Sequence, residues 1–224
     1  MKDANSVLSA LNRSQAVIEF KPDGTIITAN ENFQKALGYS LREIAGQHHS
    51  MFVEPSEKSS ADYRQFWAEL ADGQFKSSEF LRVAKGGREI WIQATYNPVL
   101  DKNGRVVKVV KFASDITEQK QTYFRLQSQI DALNRSQAVI EFTPDGKILT
   151  ANRNFLDALG YELDEIVGQN HALFVEPEYA ATPEYRQFWD ALRAGQFQAA
   201  EYKRIGKGGR PVWIQASYNP VKDA

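Results

Sequence analysis

Ten residues from Leu11 to Phe20, LNRSQAVIEF, recur unchanged as Leu133 to Phe142, an offset of 122. The same offset carries Asn30 to Asn152, His49 to His171, Trp67 to Trp189 and Trp91 to Trp213. Laid over 133–224 without a gap, residues 11–102 agree at 57 of 92 positions. Solenoid repeats have periods of roughly 20–50 residues, so each copy here is a domain and not one layer of a stack. The 224 residues are therefore expected to form a tandem pair of similar domains. The correspondence stops where Ala224 meets Lys102, and nothing in the second copy matches Gly104–Thr117, GRVVKVVKFASDIT. That segment follows an Asn-Gly turn and alternates β-branched residues, so it predicts a long strand. The second copy is expected to lack its last strand, because the chain is an excerpt or its end is disordered.

Within one copy, Gln15–Lys21 alternates as a half-buried strand, and Pro22-Asp23-Gly24 supplies a turn before a second strand over Thr25–Thr28. Asn30 and Gly38 bracket a helix carrying Phe33, Ala36 and Leu37, and Ser40 caps another short one. Ala61–Leu70 places Tyr63, Phe66, Trp67 and Leu70 at helical spacing. Phe75–Val83 and Ile90–Val99 predict two strands around a Gly86-Gly87 hairpin turn. Two strands, a helical stretch and three strands define an α+β domain with an antiparallel sheet.

Strand–turn–strand, ANxxFxxxLGY, GQxHxxF, WIQAxYNPV and a closing Asp115-Ile116-Thr117, in order and nearly all present twice, resemble PAS domains. The pattern is most similar to the PAS domains of bacterial chemoreceptors, both the aerotaxis type and the soluble tandem receptors of biofilm dispersal. The resemblance implies two PAS domains, over 14–117 and 136–224, each a five-stranded antiparallel sheet with helices over one face. A flanking helix (1–13) and an amphipathic linker helix (118–135) would complete the chain. It also implies a sheet whose last strand lies in the middle, so the segment unmatched in the second copy would be a central strand.

Strand alternation puts Ile90, Ile92, Ala94 and Tyr96 on one face and Trp91, Gln93, Thr95 and Asn97 on the other. Comparison with light-sensing PAS domains turns the first set inward, so Ile92, Tyr96 and their counterparts Ile214 and Tyr218 would line a sensory pocket. Trp91 and Trp213 would then lie on the outer face, under a flanking helix or another subunit. Trp67 and Trp189 read as helix packing residues, given their spacing with Phe66 and Leu70.

His49 and His171 are the candidate cofactor ligands, and His48 is a weaker one because Asn170 replaces it in the second copy. Their position resembles the one where light-oxygen-voltage domains place the cysteine that bonds flavin. The chain has no cysteine, which excludes that photoadduct along with disulfides and thiolate metal sites. Imidazole can ligate haem iron, so haem b is the candidate cofactor; a lone histidine in an apolar helix is more often a core residue bonded to its surroundings, which would leave no cofactor at all. FAD is disfavoured, because the basic pair that contacts it in the aerotaxis family is here Val53-Glu54 and Val175-Glu176.

With 27 basic and 28 acidic residues, net charge −1, no pull toward nucleic acid is expected. No eighteen-residue apolar run predicts a membrane span, and a cytoplasmic location is the expectation. The Gly206–Gly209 segment lacks a phosphate-loop signature, other catalytic motifs are missing, and no enzymatic activity is expected. Between the copies, Tyr123, Leu126, Ile130 and Leu133 form a short a/d seam, repeated as Ala4, Leu8 and Leu11 before the first copy. A helix docked on its own sheet and a dimeric coiled coil both fit so short a seam. By resemblance, the Asp115–Thr117 strand end would feed this helix and pass a ligand-dependent change along it. The expected whole is a sensory module of a chemotaxis-type receptor, detecting oxygen or redox state and signalling through a homodimer to a C-terminal domain beyond residue 224. A ligand-free dimerisation scaffold and the regulatory half of a histidine kinase or diguanylate cyclase are the alternatives.

Overall fold

The computed structural model describes residues 10–221, which divide into two units, one up to Arg125 and one from Leu126. The seam positions Ala4 and Leu8 lie outside the described residues.

In the first unit, β1 (Ala16–Phe20) and β2 (Ile26–Ala29) form a hairpin over the Pro22–Gly24 turn. Gly24 needs its positive φ of 88° there, and a Cβ would strike the His48 and Trp67 rings. Helices Glu31–Leu37, Leu41–Ile44, Pro55–Lys58 and Ala61–Ala71, with a 3₁₀ turn at His49–Phe52, follow before β3 (Lys76–Val83), β4 (Glu89–Leu100) and β5 (Val106–Asp115). The sheet order is β2-β1-β5-β4-β3, with the last strand central, as the PAS resemblance implied.

The polar residues that set the element ends act as sequence chemistry predicts. Asn30 Oδ1 accepts from Phe33 N–H at 2.9 Å, capping the helix, and from Val17 N–H at 3.0 Å, tying that cap to β1. Gly38 ends the same helix in the left-handed conformation. Ser60 caps Ala61–Ala71 by accepting from Tyr63 N–H. Along β4, Ile90, Ile92, Ala94 and Tyr96 are all buried and join Phe20, Phe33, Trp67 and Leu70 in one continuous core.

The second unit repeats this plan as β6 (Ile140–Phe142), β7 (Ile148–Ala151), helices Arg153–Leu159, Leu163–Ile166, Pro177–Ala180 and Pro183–Arg193, β8 (Gln198–Ile205) and β9 (Pro211–Tyr218). Among its described residues no strand joins β6 to β9, so the unit holds two separate two-stranded sheets, and its apolar core is split into two clusters.

Helix Thr117–Ser136 starts directly after β5. Its first turn is fixed on the outer face of the first sheet. Thr117 Oγ1 accepts from Trp91 N–H at 3.0 Å, Lys120 pairs with Glu79 and lies over the Trp91 ring, and Phe124 packs on that ring. Trp91 is thus covered by a flanking helix, whereas Trp213 is 72% exposed. Tyr123, Leu126, Ile130 and Leu133 are each more than half exposed. No described helix is long and apolar enough to cross a membrane.

Candidate functional site: a buried histidine between two tyrosines

His49 opens the 3₁₀ turn that follows the Gly46-Gln47 bend, and the bridge between Thr25 and His48 fixes the approach of this segment to the β1–β2 hairpin. The side chain points into the core and is fully buried. Its Nδ1 lies 2.8 Å from the Tyr63 hydroxyl, contributed by the Ala61–Ala71 helix, and its Nε2 lies 3.0 Å from the Tyr96 hydroxyl, contributed by β4. Phe20, Phe52 and Trp67 meet the imidazole edge to face at 5.4–6.1 Å, which closes it off from water.

The second unit builds the same triad. His171 Nδ1 is 3.0 Å from the Tyr185 hydroxyl, and its Nε2 is 3.1 Å from the Tyr218 hydroxyl. Arg204 Nη2 donates to the Tyr218 oxygen at 2.9 Å, which ties the guanidinium to this triad.

Burial holds both imidazoles neutral. His49 lies well below its ordinary value, through desolvation first and then the charges of Lys111 and Arg82. His171 is lowered to about 3 by desolvation and Arg204. Desolvation raises Tyr63 to about 12 and raises Tyr96 as well, so both remain protonated hydrogen-bonding groups.

Two buried cations flank the triad. Arg82 on β3 lies over the Phe80 ring, and Lys111 on β5 lies over the Tyr96 ring at 4.7 Å. Desolvation, followed by the charge of Arg82, pushes the Lys111 amine well below its ordinary value. Neither cation stood out in the sequence. The available signal was parity: Arg82 is in register with Phe80 on the inward face of its strand, and Arg204 repeats it beside Tyr202. Tyr63 and Tyr185 carried a weaker one, each standing fourteen residues after its histidine.

The predicted pocket residues are core residues. Ile92 and Tyr96 are buried, with Tyr96 wedged between Phe66, Phe80 and His49, and Ile214 and Tyr218 hold the corresponding half-buried places. A cavity of about 150 Å³ does exist in the first unit, but it is lined by Glu57, Asp62, Tyr63, Phe66, Phe80 and Arg82. It opens beside the helices because Tyr96 and Trp67 already fill the space under the sheet.

This arrangement does not fit haem. Both ring nitrogens of each histidine are engaged by tyrosine hydroxyls, His49 has no exposed surface, and the cavity is a fraction of the space such a macrocycle needs. FAD is larger still. His48 is accounted for structurally: its Nδ1 accepts from Ser50 N–H and its Nε2 is directed at the Asp23 carbonyl. Asn170 makes both bonds in the second unit, to Ala172 N–H and the Asp145 carbonyl, which is why asparagine can stand there. Among the described residues no cluster of three or more metal-ligating side chains exists.

A model of the PAS fold matches residues 12–121, and a second model of the PAS fold matches 148–224. The chain belongs to the PAS family and carries two PAS domains in tandem. The biofilm dispersion protein BdlA of Pseudomonas aeruginosa is 46% identical over 217 residues, covering 97% of this chain and 52% of the relative. The oxygen sensor protein DosP of Escherichia coli is 27% identical over 204 residues, covering 87% of this chain and 24% of that protein. The aerotaxis receptor of Escherichia coli is 26% identical over 95 residues, covering 42% and 18%. The chain thus spans about half the length of BdlA and less of the other two.

Proposed function

We propose that the two PAS domains are the sensory input part of a chemotaxis-type receptor, with no catalytic role of their own. The state of the first core would set the pose of helix Thr117–Ser136, which carries the change onward as one half of a dimer. The observation that carries this reading is the junction at Trp91. One face of β4 presents Ile90, Ile92 and Tyr96 to the core and to His49, while its other face presents Trp91 to the start of the helix. A shift of β4 driven from the core therefore moves the Thr117–Trp91 and Lys120–Trp91 contacts directly. The exposed stripe Tyr123, Leu126, Ile130 and Leu133 is the surface on which a second copy would pack.

Oxygen or redox state is the stimulus that relatives named for oxygen sensing and aerotaxis suggest. Any such detection through His49 requires the Tyr63 and Tyr96 hydroxyls to release it first. The filled site of the second unit favours a second reading for that copy alone, a ligand-free scaffold.

The absence of cysteine makes a spin-label test direct. Nitroxides attached at Ile130→Cys should report a defined distance between two labels, and Thr117→Ala, which cuts the bond to Trp91, should broaden it. No inter-label distance would remove the dimeric helix, and a distribution unmoved by Thr117→Ala would remove the coupling.

A further inference from the structure

The cavity of the first unit has the chemistry of an anion site that its own side chains only half fill. Its volume, about 150 Å³, is of the size that admits a benzene-sized molecule. Arg82 forms part of its wall and is 2% exposed. One guanidinium nitrogen donates to the Leu81 carbonyl at 2.7 Å, and Nε–H has no partner. The carboxylate on this guanidinium is Glu57, and it is a poor partner: 3.5 Å away, 45% exposed, and carried by the single-turn helix Pro55–Lys58. Good charge-assisted bonds between guanidinium and carboxylate are about 2.7–2.9 Å and often bidentate. Lys111 lies buried beside Tyr96 with its amine held well below its ordinary value by burial, so the buried charge in this wall is that of Arg82, with Glu57 as its loose partner.

The repeat supplies a control within the same chain. Tyr179, Tyr185, Phe188, Tyr202 and Arg204 occupy the positions of Glu57, Tyr63, Phe66, Phe80 and Arg82, and together with His171 they leave no room for a water molecule. Tyr179 stands in place of the displaceable carboxylate, while Arg204 keeps the engagement of Arg82: it faces the strand tyrosine, Tyr218 as Arg82 faces Tyr96, and its Nε–H likewise has no partner. The difference between the copies therefore lies in the Glu57 position and the space beside it.

We propose that the first PAS domain binds a small organic carboxylate in this cavity. The carboxylate displaces Glu57 from Arg82, the short apolar body lies against Phe66 and Phe80, and the second domain does not bind. Asp62, on the same cavity wall, repels a second negative charge and orients the ligand with its carboxylate toward Arg82. The inference rests on the sensory reading above and names the ligand class for it.

Calorimetric titration of the 224-residue chain with benzoate and with propionate tests this, with benzamide as the neutral match of benzoate. One site per chain is expected, with benzamide at least about tenfold weaker, the scale of one lost charge-assisted pair. Glu57→Gln removes the internal competitor and should tighten benzoate about threefold to fivefold, as expected for a half-exposed ion pair. Arg204→Gln should leave binding unchanged. Arg82→Gln should abolish it, and because that variant can unfold, the gain from Glu57→Gln is the decisive arm. Equal binding of benzamide, no change in Glu57→Gln, or no binding of either acid overturns the proposal. The spin-label distance at Ile130→Cys separates the two ideas. Binding without a distance change fails the sensory reading alone, and a Thr117-dependent distance without binding fails the carboxylate alone.

Discussion

The two units share a histidine placed between two tyrosines, yet among the described residues only the first surrounds it with a continuous sheet. In the first, β5 runs between β1 and β4, and Phe20, Ile92 and Tyr96 are buried. In the second, the described strands leave β6 and β9 unpaired with each other, and Phe142, Ile214 and Tyr218 are only half-buried. The hydrogen bonds to the imidazole nevertheless agree to within about 0.2 Å between the copies. The triad is therefore positioned by the 3₁₀ turn, the following helix and the β3–β4 or β8–β9 hairpin. The central strand contributes burial, and in the first unit it contributes Lys111.

The largest expected effect tests that division. Phe20→Ala should destabilise the first unit by about 3–5 kcal/mol, the cost of emptying a fully buried aromatic position. Phe142→Ala should cost the second unit about 1–2 kcal/mol, since less surface returns to water. Two units rule out a single two-state fit, so hydrogen exchange by mass spectrometry, read on peptides of each unit, is the appropriate measurement. Equal losses would show that pairing with a central strand does not govern burial of this ring.

An intermediate effect concerns protons. Each buried histidine is neutral when folded and takes up a proton near 6.5 when unfolded. The unfolded chain therefore binds more protons below 6.5, and stability present above that value is lost as pH falls, at about 1.4 kcal/mol per pH unit for each histidine. For His171 the loss runs down to about 3. His49→Gln should flatten the acid limb of the first unit only, and His171→Gln that of the second only. An unchanged pH profile of denaturation in either variant would mean that its histidine is not the desolvated group.

The smallest expected effect is the exchange His48→Asn. Because Asn170 makes the same two backbone bonds, stability of the first unit should change by less than about 0.5 kcal/mol, the range of substitutions that disturb no buried feature. A loss above about 2 kcal/mol would show that the imidazole does more there than bind two backbone groups, its contact with Trp67 being the obvious place to look.

Much of the architecture was legible in the chain before any coordinates. The asparagine caps, the Gly38 stop and the alternation along β4 all obeyed local rules of spacing and turn chemistry, whereas whether a helix or another subunit covers Trp91 did not follow from them. The site was legible only in part. His49 and His171 stood out as shared by both copies, but a sequence carries no measure of whether an imidazole faces open space or two hydroxyls. Ile92 and Tyr96 faced inward as alternation required, yet inward-facing is a statement about parity, and the volume left over depends on how Phe66, Trp67 and Phe80 pack against them.

The repeat of 122 residues established a tandem pair of similar domains, local patterning gave the order of their elements, and the resemblance of their motifs pointed to the PAS family. Tertiary packing settled the rest. It closed the histidines off between tyrosines, buried Arg82 and Lys111 on the inward face, and opened the first copy's cavity where the second is filled by Tyr179 and Tyr202. Those outcomes turn on which side chains from distant segments share one volume, a long-range property that no local pattern encodes.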